Sequence, residues 1–102
     1  MHARVWELRI IPGKLEEFTR ATRSLIPKAR QQQGYRGVVI LRSKEDTAER
    51  ATLISVWNSL ADLKASEKNL FLYEAIARIV GCCEAFPNIE EHEVLLSEFS
   101  QK

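Results

Sequence analysis

One histidine gives this sequence its clearest candidate for proton transfer. His92 lies in the alternating segment IEEHEVLL and is the one histidine inside a predicted strand or helix. Imidazole has an ordinary pKa close to neutral pH, which would suit His92 to accept a proton from a phenolic substrate. A lone histidine on a strand is also a common structural polar group, so both interpretations stay open.

Three aromatic side chains could form the walls of a pocket for a flat ligand. Trp57 ends the segment ATLISVW just before a helical pattern, and Trp6 lies in the segment ARVWELRII. Tyr73 lies in a helical segment, where its hydroxyl could orient a substrate. Each of the three could instead fill a hydrophobic core. We interpret Trp57 as a pocket wall because so large an indole usually needs a partner for its N–H group.

The other chemical motifs are weak. Cys82 and Cys83 are the only cysteines and are adjacent, a spacing that rarely allows a disulfide between them. Without CxxC spacing or a nearby histidine they also make a poor metal site, so we interpret them as small buried side chains. No glycine-rich phosphate loop, Ser-His-Asp order or paired-carboxylate motif rises above chance.

The composition is that of one globular domain spanning residues 1–102. Hydrophobic residues make up 45% of the chain and charged residues 28%, as in ordinary single domains. The net charge of +1, without an extended basic block, argues against nucleic acid as a partner. The sequence has no run of 18 apolar residues and does not begin like a signal peptide. We therefore expect a cytoplasmic protein that has no membrane partner.

Hydrophobic patterns predict the element order βαββαβ. Strand patterns cover residues 3–11, 37–43, 51–57 and 89–96, and helical patterns follow Lys14 and the capping pair Ser59 and Asp62. Pro27 lies late in the first helix and predicts a kink or an early end there. The charged run 44–50 is interpreted as a solvated hairpin loop. The order predicts an α+β fold, a ferredoxin-like plait with an antiparallel sheet and its helices on one face.

The predicted sheet is apolar on both faces, which indicates a partner. Trp6 and Leu53 lie on one side of their strands, and Val5, Ile54 and Val56 lie on the other. If the helices cover one face, the other face is an apolar patch larger than soluble monomers usually expose to water. We therefore expect a homodimer formed through the open sheet face.

Three short motifs occur along the chain in an informative order. They are Pro12-Gly13-Lys14 before a helix, Gly34-Tyr35-Arg36-Gly37 before a strand, and Val56-Trp57-Asn58-Ser59-Leu60-Ala61-Asp62-Leu63 between a strand and a helix. In this order and spacing the chain resembles the antibiotic biosynthesis monooxygenase family over nearly its whole length. The resemblance implies a dimeric α+β barrel in which each monomer keeps a pocket between its sheet and its helices. It also implies cofactor-independent oxygenation of hydroxyaromatic substrates by O2 or, in a separate branch, oxidative haem degradation.

The residues that the haem-degrading branch requires are not kept. Its asparagine, tryptophan and histidine match Trp6, Ser66 and Ile76. Isoleucine has no lone pair to bind iron, which argues against haem cleavage by that route.

The quinone-forming branch is matched only in part. Its pocket tryptophan matches Trp57, whereas Leu53 and Leu63 stand at the positions of its asparagine and tyrosine. Arg78 lies one residue from the position of its arginine. The resemblance thus implies a cleft lined by Leu53, Trp57 and Leu63 that lacks most of the polar groups of that branch.

Two functions are the main candidates, and an isomerase or lactone-cleaving member of the same barrel superfold stays open as a third because fold does not fix function. The first is a cofactor-independent monooxygenase for a small phenol- or quinol-like aromatic substrate, with Trp6, Trp57 and Tyr73 as walls and His92 or Arg78 assisting deprotonation. This chemistry needs neither a metal nor a flavin. The second is a non-catalytic dimeric barrel that binds a small molecule or serves in a stress response. The missing polar residues favour the second, and Trp57 with its strand-to-helix junction favours the first.

Overall fold

The computed structural model of the chain describes residues 1–43, 49–68 and 70–100. Its strands are β1 (His2–Arg9), β2 (Tyr35–Arg42), β3 (Arg50–Trp57) and β4 (Asn88–Glu93), and its helices are α1 (Leu15–Arg30), α2 (Leu60–Lys68) and α3 (Phe71–Val80). The order agrees with the prediction, with the second helical region divided into α2 and α3. Most of the predicted hairpin loop, residues 44–48, lies outside the described residues.

The strands form one antiparallel sheet in the order β2-β3-β1-β4. Trp6 on β1 lies opposite Leu53 on β3 and Ile89 on β4. Apolar residues of α1 and α3, among them Phe18 and Ile79, pack with Trp6 in one buried cluster. The helices therefore cover a single sheet face, which confirms the predicted ferredoxin-like α+β fold.

The first helix continues past its proline. α1 contains Pro27 and runs on to Arg30, so of the predicted kink or early end at Pro27 the early end is wrong and the kink stays a prediction. Pro27 is exposed, and the Arg23 carbonyl that loses its amide partner there can bind water instead. The final turns of α1 are thereby retained, and they carry Ile26 and Ala29 toward the sheet.

The junction between β3 and α2 is closed by a cap and a close glycine contact. The Ser59 hydroxyl accepts a hydrogen bond from the Asp62 amide at 3.1 Å, which confirms the predicted capping pair. Gly34 has a φ of 79°, and a Cβ there would collide with the Asp62 side chain. Glycine therefore allows the start of β2 to lie against α2, where Tyr35 pairs with Trp57.

The last strand is shorter than its pattern predicts. β4 ends at Glu93, and the following apolar side chains, Leu95, Leu96 and Phe99, are each at least 87% exposed. On β2 the side chains of Val39 and Leu41 are also exposed, on the sheet face that the helices leave open. Of the helices in the described ranges, none has the length and apolar character needed to cross a membrane.

Candidate active site

A small cavity lies between the sheet and the helices α1 and α3. Its volume is about 50 Å³. Because side chains alternate along a strand, every second residue of β1 and β3 can face it. The sheet contributes Arg4, Trp6, Val38, Leu53, Ser55 and Trp57, and the helices contribute mainly apolar side chains such as Leu25, Ile26, Phe71 and Ala75.

Trp57 is both a cavity wall and a core residue. Its side chain is fully buried, and its indole Nε1 donates a hydrogen bond to Ser55 Oγ at 3.1 Å. The ring of Tyr35 lies 5.6 Å from it at 74° and the ring of Phe71 lies 6.5 Å from it at 68°. Edge-to-face contacts of this kind are favourable and help to orient the Trp57 ring. The partner that the indole N–H requires is thus a neighbour on the same strand.

Arg4 brings a charge to this apolar site. It is 2% exposed, and its guanidinium carbon lies 6.0 Å from the centroid of the Trp57 ring, which allows a cation–π contact. Nη2 donates to the Leu63 carbonyl at 3.1 Å and to a carboxylate oxygen of Glu67 at 3.3 Å, and both terminal nitrogens lie 3.4 Å from Ser66 Oγ. α2 therefore positions the guanidinium beside the tryptophan.

The buried guanidinium keeps its charge. Burial lowers the pKa of Arg4, and the nearby carboxylates of Glu67 and Glu91 oppose that effect. Because the ordinary pKa of arginine is so high, the group remains a cation. Glu91 lies opposite Arg4 on β4 and pairs with Lys64 at 3.3 Å. Glu67 is therefore the direct anionic partner of Arg4, and its side chain is 36% exposed.

The described part of the cavity lining contains no general base. It includes no histidine, aspartate or glutamate. Burial raises the pKa of Tyr35, with the charge of Arg30 opposing it, so the phenol stays protonated and does not supply a phenolate as a base. The Thr22 hydroxyl donates to the Phe18 carbonyl at 3.0 Å. Binding and charge stabilisation, rather than proton abstraction, are what these side chains can supply.

Three of the sequence-predicted pocket residues line the cavity and two do not. Trp6, Leu53 and Trp57 are part of its wall. Leu63 is a fully buried residue of α2, and its carbonyl accepts a hydrogen bond from Arg4. Tyr73 is 64% exposed because successive helical residues differ by about 100°, so α3 directs Leu72 inward and Tyr73 outward. The tyrosine that the structure places beside Trp57 is Tyr35.

The two predicted catalytic residues lie away from the cavity. His92 pairs with Ala3 in the sheet, whereas the neighbouring Arg4 faces the helices, so His92 lies on the open face. Arg78 donates to the Ser24 hydroxyl at 2.9 Å on the outer surface of α1 and α3. The structure of a single chain does not bring either residue to the cavity, and their catalytic role stays a prediction.

The cysteines and carboxylates do not assemble a metal site in the described ranges. No group of three or more His, Cys, Asp or Glu side chains there is arranged to hold an ion. Cys82 is buried and Cys83 partly buried, both as free thiols. Burial raises the pKa of each thiol, which keeps both protonated and weakly nucleophilic.

Solved structures resemble this fold closely. A putative antibiotic biosynthesis monooxygenase from Nitrosomonas europaea aligns with a TM-score of 0.74 at 18% identity, over 94% of this chain and 100% of its own. SnoaB, a cofactor-independent oxygenase from Streptomyces nogalater, gives 0.75 at 14% identity over 94% of both chains. A putative antibiotic biosynthesis monooxygenase from Caulobacter crescentus gives 0.75 at 21% identity, over 93% and 90%. At these identities the likeness establishes the fold.

The family is established by the sequence. No curated protein matches the chain. Residues 1–80, however, match the antibiotic biosynthesis monooxygenase family, and this range includes the first three strands, α1, α2 and α3. It therefore covers every residue of the cavity wall described above. The chain belongs to the antibiotic biosynthesis monooxygenase family.

Proposed function

We propose that this protein is a cofactor-independent monooxygenase that binds a small phenol- or quinol-like substrate between its sheet and its helices. The observation that carries the proposal is the aromatic cavity at Trp57, in a chain whose family is named for this activity. The edges of Tyr35 and Phe71 meet the Trp57 ring, which creates the apolar, aromatic surface that suits a flat ring.

The reaction would use the electrons of the substrate itself. An ionised phenol is electron-rich at its ring carbons and can transfer electrons to O2 directly. A carbon–oxygen bond forms, and the resulting hydroperoxide loses water to leave a quinone. One oxygen atom of O2 enters the product and the other leaves in water with the two hydrogens that the substrate lost. The protein would bind and orient the ring and exclude bulk water.

The cavity must widen to admit a ring. An engineered cavity of about 150 Å³ binds benzene, three times the volume of about 50 Å³ found here. Ile26 and Phe71 are partly buried cavity residues, so their side chains can move at lower cost than those of the fully buried core. We propose that the substrate enters beside them.

Oxygen uptake tests this function directly. We expect one member of a panel of phenols and quinols to consume O2 and yield a quinone. Ala75→Leu would fill the cavity, because Ala75 is 5% exposed and lines it, and should lower turnover by about tenfold or more. Ala77→Leu on the exposed side of the same helix is the matched control and should keep full turnover. Equal turnover in both variants would place the reaction elsewhere.

A non-catalytic binding protein is the second candidate. It is favoured by the absence of a base in the described cavity lining and by leucines at positions 53 and 63, where the quinone-forming branch has polar residues. Saturable binding of a panel member at Trp57, without O2 uptake by any member, would support this second function. His92→Ala separates the catalytic interpretations, because a proton acceptor at His92 requires turnover to fall at least about tenfold.

We further propose a homodimer through the open sheet face. Val39 and Leu41 are 46% and 51% exposed there, and an apolar patch of this kind usually has a partner. Glu7 and Arg9 lie on the same face, and a two-fold axis would allow Glu7 of one copy to pair with Arg9 of the other. The open sheet face is therefore apolar, and its charges would be complementary between two copies of the chain.

A further inference from the structure

Arg4 is the one residue with a full charge among the described residues that line the cavity. Its guanidinium is almost completely removed from water. Burial of an ion is costly even when it is paired, and Arg4 is paired only partly. Two of its three acceptors, the Leu63 carbonyl and the Ser66 hydroxyl, are neutral.

We infer that the cavity binds its aromatic ligand as an anion, with the negatively charged oxygen of the ligand beside the guanidinium of Arg4. The inference rests on the aromatic cavity of the proposed function and specifies the ionisation state of what enters it. It makes Arg4 a specificity-determining residue, one that selects a phenolate or enolate over the corresponding neutral molecule.

The surroundings of Arg4 contain one carboxylate that would compete directly with such a ligand. Its carboxylate partner, Glu67, lies at the solvent-exposed side of α2 and is not a cavity residue. The other nearby carboxylate, Glu91, is engaged by Lys64 at 3.3 Å. Glu67 at 3.3 Å is therefore the group with which an incoming anion would compete. Toward Trp57 the guanidinium lies over an aromatic ring, at 6.0 Å, and contributes positive potential to an apolar space.

An anionic ligand also accounts for the missing base. An acidic phenol breaks its O–H bond in water, and the proton goes to solvent before or during binding. Arg4 then stabilises the remaining electron pair on oxygen, and no side chain has to accept the proton. Low polarity around the pair strengthens this attraction relative to water. The one full charge in the described lining is the Arg4 cation, and its field favours an anion over the corresponding neutral molecule.

A purely structural role for Arg4 predicts a different effect of the substitution Glu67→Gln. If Arg4 serves only to pair with Glu67, Glu67→Gln leaves a buried cation without an anionic partner and gains nothing in binding. If Arg4 binds an anionic ligand, Glu67→Gln removes a competitor and tightens anion binding by about threefold or more. Tighter anion binding in Glu67→Gln therefore supports the ligand-binding role, and unchanged or weaker binding supports the structural role.

The experiment uses para-nitrophenol, a single-ring phenol that ionises near neutral pH and absorbs visible light only as the phenolate. Its methyl ether, para-nitroanisole, has nearly the same shape and cannot ionise. We expect the protein to raise the phenolate absorbance below the pKa of the free phenol and to lower that pKa by about one unit when the phenol is bound, since tenfold tighter anion binding corresponds to one unit. Para-nitroanisole should bind at least about tenfold more weakly.

Variants identify the side chain that is responsible for phenolate binding. Arg4→Met should abolish the absorbance change and weaken phenolate binding by about thirtyfold or more, and Arg4→Lys should restore part of it. Arg20→Met is the control for net charge, since Arg20 is exposed and pairs only with Glu16 on α1 among the contacts described; it should bind as the wild type does. Circular dichroism shows that each variant is folded.

Each outcome decides the inference. Equal binding of para-nitrophenol and para-nitroanisole, an unchanged ionised fraction, or no binding of either probe would overturn it. Loss of binding in Arg4→Lys as complete as in Arg4→Met, together with weaker binding in Glu67→Gln, would also overturn it in favour of a structural arginine. None of these measurements needs O2. A protein that binds the phenolate through Arg4 but consumes no O2 with any phenol would refute the proposed monooxygenase and leave the anion site standing.

Discussion

An arginine buried to bind a ligand should contribute little to the stability of the empty protein. We predict that Arg4→Met leaves the free energy of unfolding unchanged or increases it. The substitution leaves no buried polar group of α2 without a hydrogen-bond partner, because the Ser66 hydroxyl still donates to the Leu63 carbonyl at 2.6 Å. Glu67 also keeps contact with water, since its side chain is 36% exposed. The methionine side chain can fill most of the space of the arginine stem.

The magnitude follows from two opposing contributions. Removing the guanidinium loses hydrogen bonds of 3.1 to 3.4 Å, long enough that each contributes about 1 kcal/mol or less. It also removes a desolvation cost of several kcal/mol for the buried ion, as in other buried ion pairs where an apolar replacement is neutral or stabilising by about 1–4 kcal/mol. We expect a change between zero and about 2 kcal/mol in favour of the variant.

Equilibrium unfolding in urea, followed by far-ultraviolet circular dichroism, measures this change. Protein concentration must be equal for all variants because the proposed homodimer would contribute to stability. Leu8→Ala calibrates the assay: Leu8 is 3% exposed, and its truncation should cost about 2–5 kcal/mol. If the free energy of unfolding of Arg4→Met falls by more than about 3 kcal/mol, with the same slope against urea concentration, the reasoning is refuted and Arg4 is a structural residue.

Three further predictions concern the parts of the fold around the site. Leu41→Lys should convert a dimer into a monomer in analytical ultracentrifugation, because it places a charge on the open sheet face. The hydrogen bond from Lys28 at 2.6 Å lowers the pKa of Glu74, so the stabilisation is present above the ordinary carboxyl pKa and is lost as pH falls through the lowered pKa. Thermal unfolding of Glu74→Gln should therefore converge with the wild type in acid. Gly34→Ala should lower the urea midpoint by the equivalent of about 1–3 kcal/mol, through its positive φ and its contact with Asp62.

Matched variants make these outcomes specific. Leu60→Lys changes an apolar residue that is 41% exposed on α2 and should leave the dimer intact, so dissociation in both variants would argue against the sheet-face interface. Gly13 has a φ of 88° with no atom near the added methyl position, so Gly13→Ala should cost only the backbone contribution. An equal cost at Gly13 and Gly34 would show that the contact with Asp62 does not matter.

The fold was predictable because its signals are local. Alternation identified the strands, and the helical spacing and the Ser59 cap identified the helices. Pro27 predicts a kink or an early end, and α1 does not end there because the cost of a proline depends on whether the freed carbonyl reaches water, and α1 exposes that position. The end of β4 was also misplaced, since alternation continues through residues 94–96 although the strand ends at Glu93. The hydrophobic pattern does not show whether a partner strand continues beyond that point.

The residues of the cavity wall could be predicted only where alternation along a single strand decides which sheet face they occupy. Alternation places Trp6, Leu53 and Trp57 on the helix-covered face, and they line the cavity. The same alternation places Arg4 there, two residues before Trp6, but a charged residue near a chain terminus gives no sign that it is buried. Its acceptors lie 59 to 63 residues away along the chain, on α2. Helical spacing alone does not fix the rotation of α3 against the sheet, so the sequence could not show that Tyr73 lies outside the cavity.

The cavity and the buried charge point to a ligand more strongly together than separately. A cavity of about 50 Å³ costs roughly 1 kcal/mol at the usual penalty per unit volume, and the buried guanidinium adds a desolvation cost. A domain of 102 residues has a small core and little stability to spare. A larger aliphatic side chain in place of Ala75 and a methionine in place of Arg4 would remove both costs by simple substitutions. A cation beside an aromatic void is therefore better explained by the anion it can bind than by the stability of the fold.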